Sequence, residues 1–351
     1  MRMNRLGSTG LLVSELCLGT MTFGTTTGPF GAIAGLDQGQ STALVKQAID
    51  AGINFLDTAN IYSDGQSETF TGEAIRALGI ARSDVVIATK AMGGMGTGPN
   101  DAGISRYHLM NQIDASLKRL GTDHIDLYQI HGWDTQTPME EALRALDDMV
   151  RSGRVRYIGV SNWAAWQIMK ALGISAQLGI ESFASLQAYY TVAARDLERE
   201  IVPLLKSEGV GLMVWSPLAG GLLSGKYSRG DAGQGEGTGR LSNFNFPPVN
   251  MDRAWSLIEA MRAMAGARAT TVAAIALAWL LYQDAVSTVI IGAKRADQLA
   301  ENIAACDVVL TKDELATLDK LSVLPPEYPG WMLAFQGRNR DEKVSLRRTP
   351  S

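Results

Sequence analysis

The sequence has few of the residues that build metal sites or disulfide frameworks. It contains two cysteines, Cys17 and Cys306, and three histidines, His108, His124 and His131. The cysteines stand in no CxxC or metal-type spacing and no two histidines stand at ligand spacing, so neither zinc binding nor a disulfide scaffold accounts for the fold. We interpret both cysteines as reduced thiols of the core, and we expect no metal site.

Long apolar segments and runs of like charge are also missing. No stretch approaches the ~20 apolar residues of a membrane span, and the first seven residues lack the apolar core of a signal peptide. The net charge is −4, and acidic and basic residues are interspersed along the 351-residue chain. We therefore expect a cytoplasmic protein with no membrane or nucleic-acid partner, and we leave its oligomeric state open.

A further absence concerns the G-x-G-x-x-G segment by which open doubly wound sheets bind dinucleotides, because none lies between the first strand and the first helix. Instead, short apolar strands alternate regularly with amphipathic helices. Apolar residues recur with helical spacing in 41–51, 106–120 and 138–151. The predicted strands are 17–20, 54–58, 85–90, 125–131, 155–161, 183–189, 211–216 and 288–292.

Eight strands that alternate with helices predict parallel βα units closed into an α/β fold, the (β/α)8 TIM barrel. A doubly wound open sheet is the alternative. Residues 3–16 predict an N-terminal β-hairpin, and Thr311 and Glu314 form a capping box that begins an extra C-terminal helix over 311–321. We expect one barrel domain over 1–323 and a tail over 324–351.

Three consecutive strands each deliver titratable groups at the C-terminal end. Asp57 and Tyr62 follow the second strand, Lys90 ends the third and His131 ends the fourth. In a parallel barrel these strands are neighbours, and their C-terminal ends form the face that carries catalytic groups. A lysine beside the Tyr62 hydroxyl would lower its pKa from the ordinary value of about 10. Asp57 is placed to keep Lys90 charged, and His131 could orient a carbonyl substrate.

Each residue alone is more often structural, because a lysine can end a strand in solvent and an aspartate can cap a helix. A different chemistry on the same barrel, a Schiff-base aldolase that uses Lys90, is disfavoured because Asp57 would hold that lysine protonated. The combination of the four groups on adjacent strands is what favours a catalytic site.

From about Met3 to Leu321 the chain resembles the aldo-keto reductase superfamily. The resemblance lies in Leu18-Gly-Thr-Met, Asn54-Phe-Leu-Asp-Thr-Ala-Asn-Ile-Tyr62, Ala88-Thr-Lys90, Ile130-His131, Gly159-Val-Ser-Asn162, the segment from Trp215 to Tyr227, and Ile290-Ile-Gly-Ala-Lys. In detail it is similar to bacterial enzymes and potassium-channel β-subunits that share WSPLxxGxxxGKY. The resemblance implies a barrel that binds a nicotinamide cofactor without the glycine fingerprint.

The resemblance also implies that Asp57, Tyr62, Lys90 and His131 are the catalytic tetrad of a carbonyl reductase, with Tyr62 as the proton donor. The expected reaction is NADPH-dependent reduction of an aldehyde or ketone to an alcohol. The alternative is a regulatory subunit that senses the redox state of the cofactor and turns over slowly. Because the channel β-subunits depart from the tetrad at the histidine, the presence of His131 favours an active reductase.

Cofactor contacts are implied at the ends of the remaining strands. Lys294 and Arg295 point to the 2′-phosphate of NADPH, although the family's basic residue one turn into that helix is Gln298 here. The ring of Trp215 could stack on the nicotinamide. The full expected set is Gly19, Thr20, Met21, Asp57, Ser161, Asn162, Gln187, Trp215, Ser216, Pro217, Leu218, Gly220, Gly221, Lys226, Arg240, Gly292, Lys294, Arg295, Gln298, Glu301 and Asn302.

Two segments interrupt the strand–helix pattern. Residues 225–250 form a glycine-rich loop of a length that is usually functional or disordered. The tail carries Tyr328, Trp331, Met332 and Phe335, an apolar density that is unfavourable in water. We expect Trp331 and Phe335 to pack over the barrel or a neighbouring subunit and to help shape the substrate pocket, with simple cover of the barrel's side as the alternative.

Overall fold

Eight parallel strands close into a barrel in the computed structural model, which describes residues 1–26, 31, 33–229 and 246–341. The last barrel strand pairs with the first, Val289 opposite Leu16, and this closure rules out the open doubly wound sheet. In barrel order the strands are β3 (Leu16–Gly19), β4 (Phe55–Asp57), β5 (Val86–Ala91), β6 (Ile125–Ile130), β7 (Val155–Ser161), β8 (Phe183–Tyr189), β9 (Gly211–Trp215) and β10 (Val286–Ile291).

The predicted hairpin is confirmed as β1 (Met3–Arg5) and β2 (Leu12–Ser14), which pair antiparallel. Its side chains Leu6 and Val13 are fully buried in the same apolar cluster as the barrel interior. Because Asn4 Nδ2 donates to the Ser287 carbonyl at the start of β10, the hairpin covers the N-terminal end of the barrel. The opposite, C-terminal end is therefore the one left for a site.

Helices follow the strands and pack their apolar faces on the outside of the barrel. The capping box of Thr311 and Glu314 is confirmed. The first helix begins three residues before the predicted start, because Asp37 and Gln40 form a capping box that the sequence reading missed. The helices are α1 (Gln38–Asp50), α2 (Gln66–Ala77), α3 (Arg106–Leu120), α4 (Met139–Arg151), α5 (Ala165–Leu178), α6 (Ile201–Glu208), α7 (Met251–Gly266), α8 (Val272–Leu281), α9 (Ala296–Ile303), α10 (Lys312–Ser322) and α11 (Gly330–Asp341).

Strand alternation divides the side chains of the barrel into two sets. Successive residues point to opposite faces, so one set fills the interior and the other meets the helices. The interior apolar cluster is small, whereas the outer layer between strands and helices holds most of the core. The interior cluster comprises Leu6, Val13, Cys17, Phe55, Val86, Ala88, Leu127, Met213 and Ile290.

The C-terminal tail departs from its prediction. Trp331 and Phe335 are 50% and 65% exposed, so their predicted packing over the barrel of the same chain is wrong. Within residues 324–336, the polar contacts that join the tail to the barrel lie at its base, where Arg199 donates to the Pro325 carbonyl at 3.1 Å and pairs with Glu327 at 3.0 Å. Packing against a neighbouring subunit stays a prediction.

Among the described helices, none has both the length and the apolar content needed to cross a lipid bilayer.

Candidate active site

The ends of β4, β5 and β6 bring the four predicted groups together. Lys90 Nζ lies 2.6 Å from Asp57 Oδ2, 2.8 Å from the Thr58 carbonyl oxygen and 3.4 Å from the Tyr62 hydroxyl. The His131 and Tyr62 rings meet edge to face, with centroids 5.7 Å apart and planes at 75°. The four side chains thus form one contiguous cluster at the C-terminal face of the barrel.

Lys90 is the centre of this cluster and is fully buried. Burial by itself would lower its pKa, but the Asp57 carboxylate and the Tyr62 hydroxyl raise it, and the net pKa of Lys90 lies above its ordinary value. The lysine is therefore an ammonium at every physiological pH. A protonated amine cannot attack a carbonyl carbon, so this geometry opposes imine formation at Lys90.

The pKa of Tyr62 shifts in the direction opposite to the prediction. Burial raises the pKa of Tyr62, and Asp57 adds to this, while the ammonium of Lys90 lowers it without reversing the net increase. The sequence reading considered only the lysine and so expected a net decrease. Because the pKa stays above 10, the hydroxyl keeps its proton near neutral pH and is available as a donor.

The pKa of His131 shifts downward, in the direction opposite to those of Lys90 and Tyr62. Burial, together with the nearby charge of Lys90, lowers the pKa of His131 from 6.5 to about 3. The imidazole is therefore neutral between pH 5 and 8. A neutral ring can donate one N–H to a substrate oxygen without adding a second cation beside Lys90.

This low pKa makes stability depend on pH. Between about pH 6.5 and 3 the unfolded chain binds a proton at His131 that the folded chain does not, so the free energy of unfolding falls as the pH falls. We expect His131→Asn to remove up to about 1.4 kcal/mol of this loss per pH unit. Denaturant titrations from pH 7 to 4 measure it. His124→Asn, at the other end of β6, is the control, and equal slopes for wild type and His131→Asn would contradict the assignment.

Two buried glutamines complete the surroundings of Asp57. Gln187 Nε2 donates to Asp57 Oδ1 at 2.9 Å and Gln129 Nε2 donates to the same oxygen at 3.3 Å. Gln187 was expected among the cofactor contacts, whereas Gln129 and the Thr58 carbonyl were missed. Period-two alternation could have identified Gln129, because it lies two residues before His131 on one strand face.

Residues at the C-terminal ends of β7, β8 and β9 extend the site further around the barrel. The Ser161 hydroxyl donates to the Gln187 carbonyl at 3.1 Å. Asn162 has a left-handed backbone, with φ of 60°, and its Oδ1 accepts from Trp215 Nε1 at 2.9 Å. The Trp215 ring stacks on Phe246, with centroids 5.9 Å apart and planes at 14°. Trp215, which was predicted to stack on the nicotinamide, therefore stacks on Phe246 in this structure.

The segment after β9 forms a tight turn that contains two of the predicted cofactor-binding glycines. Gly220 and Gly221 have φ of 67° and 97°, and the Gly220 N–H donates to Ser216 Oγ at 3.0 Å. Positive φ values favour glycine, and the missing side chains leave the backbone open to a diphosphate. Lys226 Nζ lies 3.9 Å from the position that a Cβ on Gly221 would take. Pro217 and Leu218 lie within the same turn.

The segment between β10 and α9 holds the remaining predicted contacts. Lys294 Nζ donates to the Ala34 carbonyl at 3.0 Å, and burial lowers its pKa, while Arg295 pairs with Asp297 at 2.9 Å. Gln298 Oε1 accepts from the Lys294 N–H at 3.0 Å. Further along α9, Asn302 Nδ2 donates to the Gly292 carbonyl at 3.3 Å, and Glu301 is exposed.

Residues at the end of β3 support Asp57 through the backbone. The Thr20 N–H donates to the Asp57 carbonyl at 2.9 Å, and its hydroxyl lies 2.8 Å from Ser67 Oγ. A Cβ on Gly19 would come within 2.7 Å of Ile290, so glycine is needed there. Met21 is partly exposed next to Thr20. Arg240 lies outside the described residues.

Within the described residues, no three His, Cys, Asp or Glu side chains lie close enough together to share a metal ion. Cys17 and Cys306 are both free thiols.

Comparison with known proteins agrees with this geometry. The model of the Aldo/keto reductase family matches residues 15–323. A probable voltage-gated potassium channel subunit beta of Arabidopsis thaliana is 37% identical, over 94% of this chain and 99% of its own length. The uncharacterized oxidoreductase YrpG of Bacillus subtilis is 36% identical, over 93% and 98%. Versiconal hemiacetal acetate reductase of Aspergillus parasiticus is also 36% identical, over 93% and 98%.

The barrel, the cluster at its C-terminal face and the match over nearly the whole chain agree with one another. Oxidoreductases among the relatives support an NAD(P)H-dependent reductase that acts on carbonyl compounds. The protein belongs to the aldo/keto reductase family.

Proposed function

We propose that the protein reduces an aldehyde or ketone to an alcohol with NADPH, and that Tyr62 delivers the proton to the carbonyl oxygen. The observation that carries the proposal is the position of Lys90 Nζ, 2.6 Å from Asp57 Oδ2 and 3.4 Å from the Tyr62 hydroxyl. When bound, NADPH supplies the hydride for the carbonyl carbon. The charged lysine stabilises the tyrosinate that forms as the proton leaves.

His131 and Tyr62 together define where the substrate oxygen binds. Both rings border the same space and lie edge to face at 5.7 Å. A neutral imidazole N–H and the phenol O–H can each donate to one carbonyl oxygen, which fixes its orientation before the proton moves. Asp57 does not touch the substrate in this scheme, since its two oxygens are occupied by Lys90 and the glutamines.

The residues present fit a nicotinamide dinucleotide. Ser161, Asn162 and Gln187 offer polar atoms for the carboxamide, and Trp215 offers a flat ring. The positive-φ turn at Gly220 and Gly221 leaves room for a diphosphate. We assign the group Gly292, Lys294, Arg295, Gln298, Glu301 and Asn302 to the adenosine end.

The direct test is NADPH oxidation by the purified protein across aromatic aldehydes, short aliphatic aldehydes, methylglyoxal and ketones. Steady turnover of at least one class supports the proposal and names the substrate class. Absence of turnover with the whole panel contradicts it. We also propose a cytoplasmic location without membrane or nucleic-acid partners, on the sequence argument alone.

A preference for NADPH over NADH tests the assignment of Lys294 and Arg295. Replacing both with methionine removes the cations proposed for the 2′-phosphate, and a charge-assisted contact contributes about 1.5–3 kcal/mol. We expect NADPH affinity to fall by at least about tenfold while NADH affinity changes little. Fluorescence titration measures both. Lys226→Met is the matched control, because losing a contact to the diphosphate should weaken the binding of NADPH and NADH alike. Equal losses of affinity for the two cofactors in the double variant would place the 2′-phosphate site elsewhere.

A second function has one observation in its favour, the similarity to the channel subunit of Arabidopsis thaliana. A redox-sensing regulatory subunit would bind the cofactor tightly and turn over slowly. A burst of one turnover followed by a negligible steady rate identifies it. The presence of His131 beside Tyr62 favours the reductase instead.

A further inference from the structure

Gln129 is a fully buried amide that the scheme above leaves without a role. It lies on β6 in register with Lys90 of β5 and Gly159 of β7. Because strand side chains alternate, Gln129 shares the interior face with Leu127 below it and His131 above it. An uncharged polar side chain at this depth needs hydrogen-bond partners to offset the cost of burial.

The partners of Gln129 are Asp57 and Gln187. Gln129 Nε2 donates to Asp57 Oδ1 at 3.3 Å, and its Oε1 accepts from Gln187 Nε2 at 3.4 Å. Gln187 Nε2 also donates to Asp57 Oδ1, at 2.9 Å. Since the carboxylate paired with Lys90 can only accept, both amide nitrogens must face it. This requirement determines which end of each amide is nitrogen.

The hydrogen bonds of the Gln187 side-chain amide determine whether it can donate to a ligand or accept from one. Its NH₂ group has two hydrogens, and Asp57 Oδ1 and Gln129 Oε1 use both. Only Oε1 remains, and within residues 1–26, 33–229 and 246–341 no protein donor is bonded to it. Gln187 can therefore accept from a ligand but cannot donate to one.

The space for this arrangement comes from a glycine on the strand between the two amides. A Cβ on Gly159 would lie 3.2 Å from Gln129 Cγ and 2.7 Å from Ser185 Oγ. Both distances are shorter than ordinary van der Waals contact. The absence of a side chain at Gly159 lets Gln129 reach past β7 to Gln187 on β8.

We propose that Gln129 is a positioning residue that holds the Gln187 amide with Oε1 toward the cofactor, so that the site accepts an N–H from the nicotinamide carboxamide. This inference rests on the proposed function. It gives the pocket a preference for a pyridine ring that carries an NH₂ group. Without Gln129, one hydrogen of Gln187 Nε2 loses its acceptor. The bond to Asp57 Oδ1 still fixes which end of the amide is nitrogen, but a single hydrogen bond leaves the amide plane free to turn, so Oε1 is no longer held toward the carboxamide.

The test compares binding of NADPH with binding of its reduced 3-acetylpyridine analogue, in which a methyl group replaces the carboxamide NH₂. A hydrogen bond of ordinary strength corresponds to a preference of about fivefold to tenfold for NADPH in the wild type. We expect Gln129→Met, which keeps the length of the side chain but has no acceptor, to reduce this preference to about twofold or less. Gln129→Asn keeps an amide that is too short to reach and should behave alike.

Ser185→Ala is the matched control, because its hydroxyl lies inside the barrel and has no hydrogen-bond partner among the described residues. The preference should be unchanged in that variant. A wild-type ratio near one overturns the inference even if neither Gln129 variant folds, and a preference that survives in folded variants overturns it too. Failure of the wild type to bind NADPH at all contradicts the proposed function instead.

Discussion

Replacement of Tyr62 with phenylalanine is expected to lower kcat by about 10²-fold or more while NADPH affinity stays nearly unchanged. The substitution removes the hydroxyl, 3.4 Å from Lys90 Nζ, and keeps the ring that contacts His131 edge to face. Because the raised pKa keeps Tyr62 protonated at neutral pH, the wild type retains the proposed donor, and the variant lacks it. Steady-state kinetics and fluorescence titration of the cofactor measure the two quantities.

Tyr128→Phe is the matched control for the loss of a buried phenol. Its hydroxyl lacks a hydrogen-bond partner within the described residues, and the ring belongs to the outer apolar layer rather than the site. We expect wild-type kcat in that variant. A Tyr62→Phe enzyme with undiminished turnover would disprove the role of Tyr62 as donor, whatever its effect on stability.

Among the substitutions proposed here, Asp57→Asn is expected to give the largest decrease in the free energy of unfolding. Asp57 and Lys90 are 2% and 0% exposed, so the variant leaves a buried ammonium without its carboxylate. Breaking such a pair from one side costs about 3–5 kcal/mol. Urea denaturation at pH 7 measures the decrease in the free energy of unfolding, and we expect no catalytic turnover from the same protein.

The pH dependence of this loss has a definite sign. In the wild type the pKa of Lys90 is raised, so its contribution to stability is present at neutral pH and is lost as the pH rises from the pKa of the unfolded chain through that raised pKa. In Asp57→Asn, burial is no longer opposed by the carboxylate, and the pKa of Lys90 should fall below its value in the unfolded chain. Stability of the variant should therefore increase from pH 7 to 10, and a flat profile would contradict the explanation.

A double variant, Asp57→Asn with Lys90→Met, separates the charge from the packing. Removing both partners of a buried pair is often nearly neutral for stability, because neither charge remains unpaired. We expect the double variant to recover most of the stability that Asp57→Asn loses. Losses that simply add would show that Asp57 stabilises the barrel through contacts other than its pair with Lys90.

Local patterns in the chain were sufficient for the architecture and for the identity of the central groups. Apolar runs bounded by polar residues located the strands to within two residues, and β7 and β8 agree at both ends. Capping chemistry identified Thr311 as the N-cap of α10. Asp57, Tyr62, Lys90 and His131 could be found because each follows an apolar strand, and strands of one parallel barrel end on the same face.

Distances and burial across the barrel are properties that no single segment contains. The direction of the Tyr62 pKa depends on how much water the folded site excludes, and this outweighs the ammonium beside it. The partners of Gln129 come from β4 and β8, which are 72 and 58 residues away in the chain. The exposure of Trp331 and Phe335 likewise depends on where α11 lies, not on their apolar character. Alternation along a strand assigns each side chain to a face, but closure of the barrel decides which faces meet.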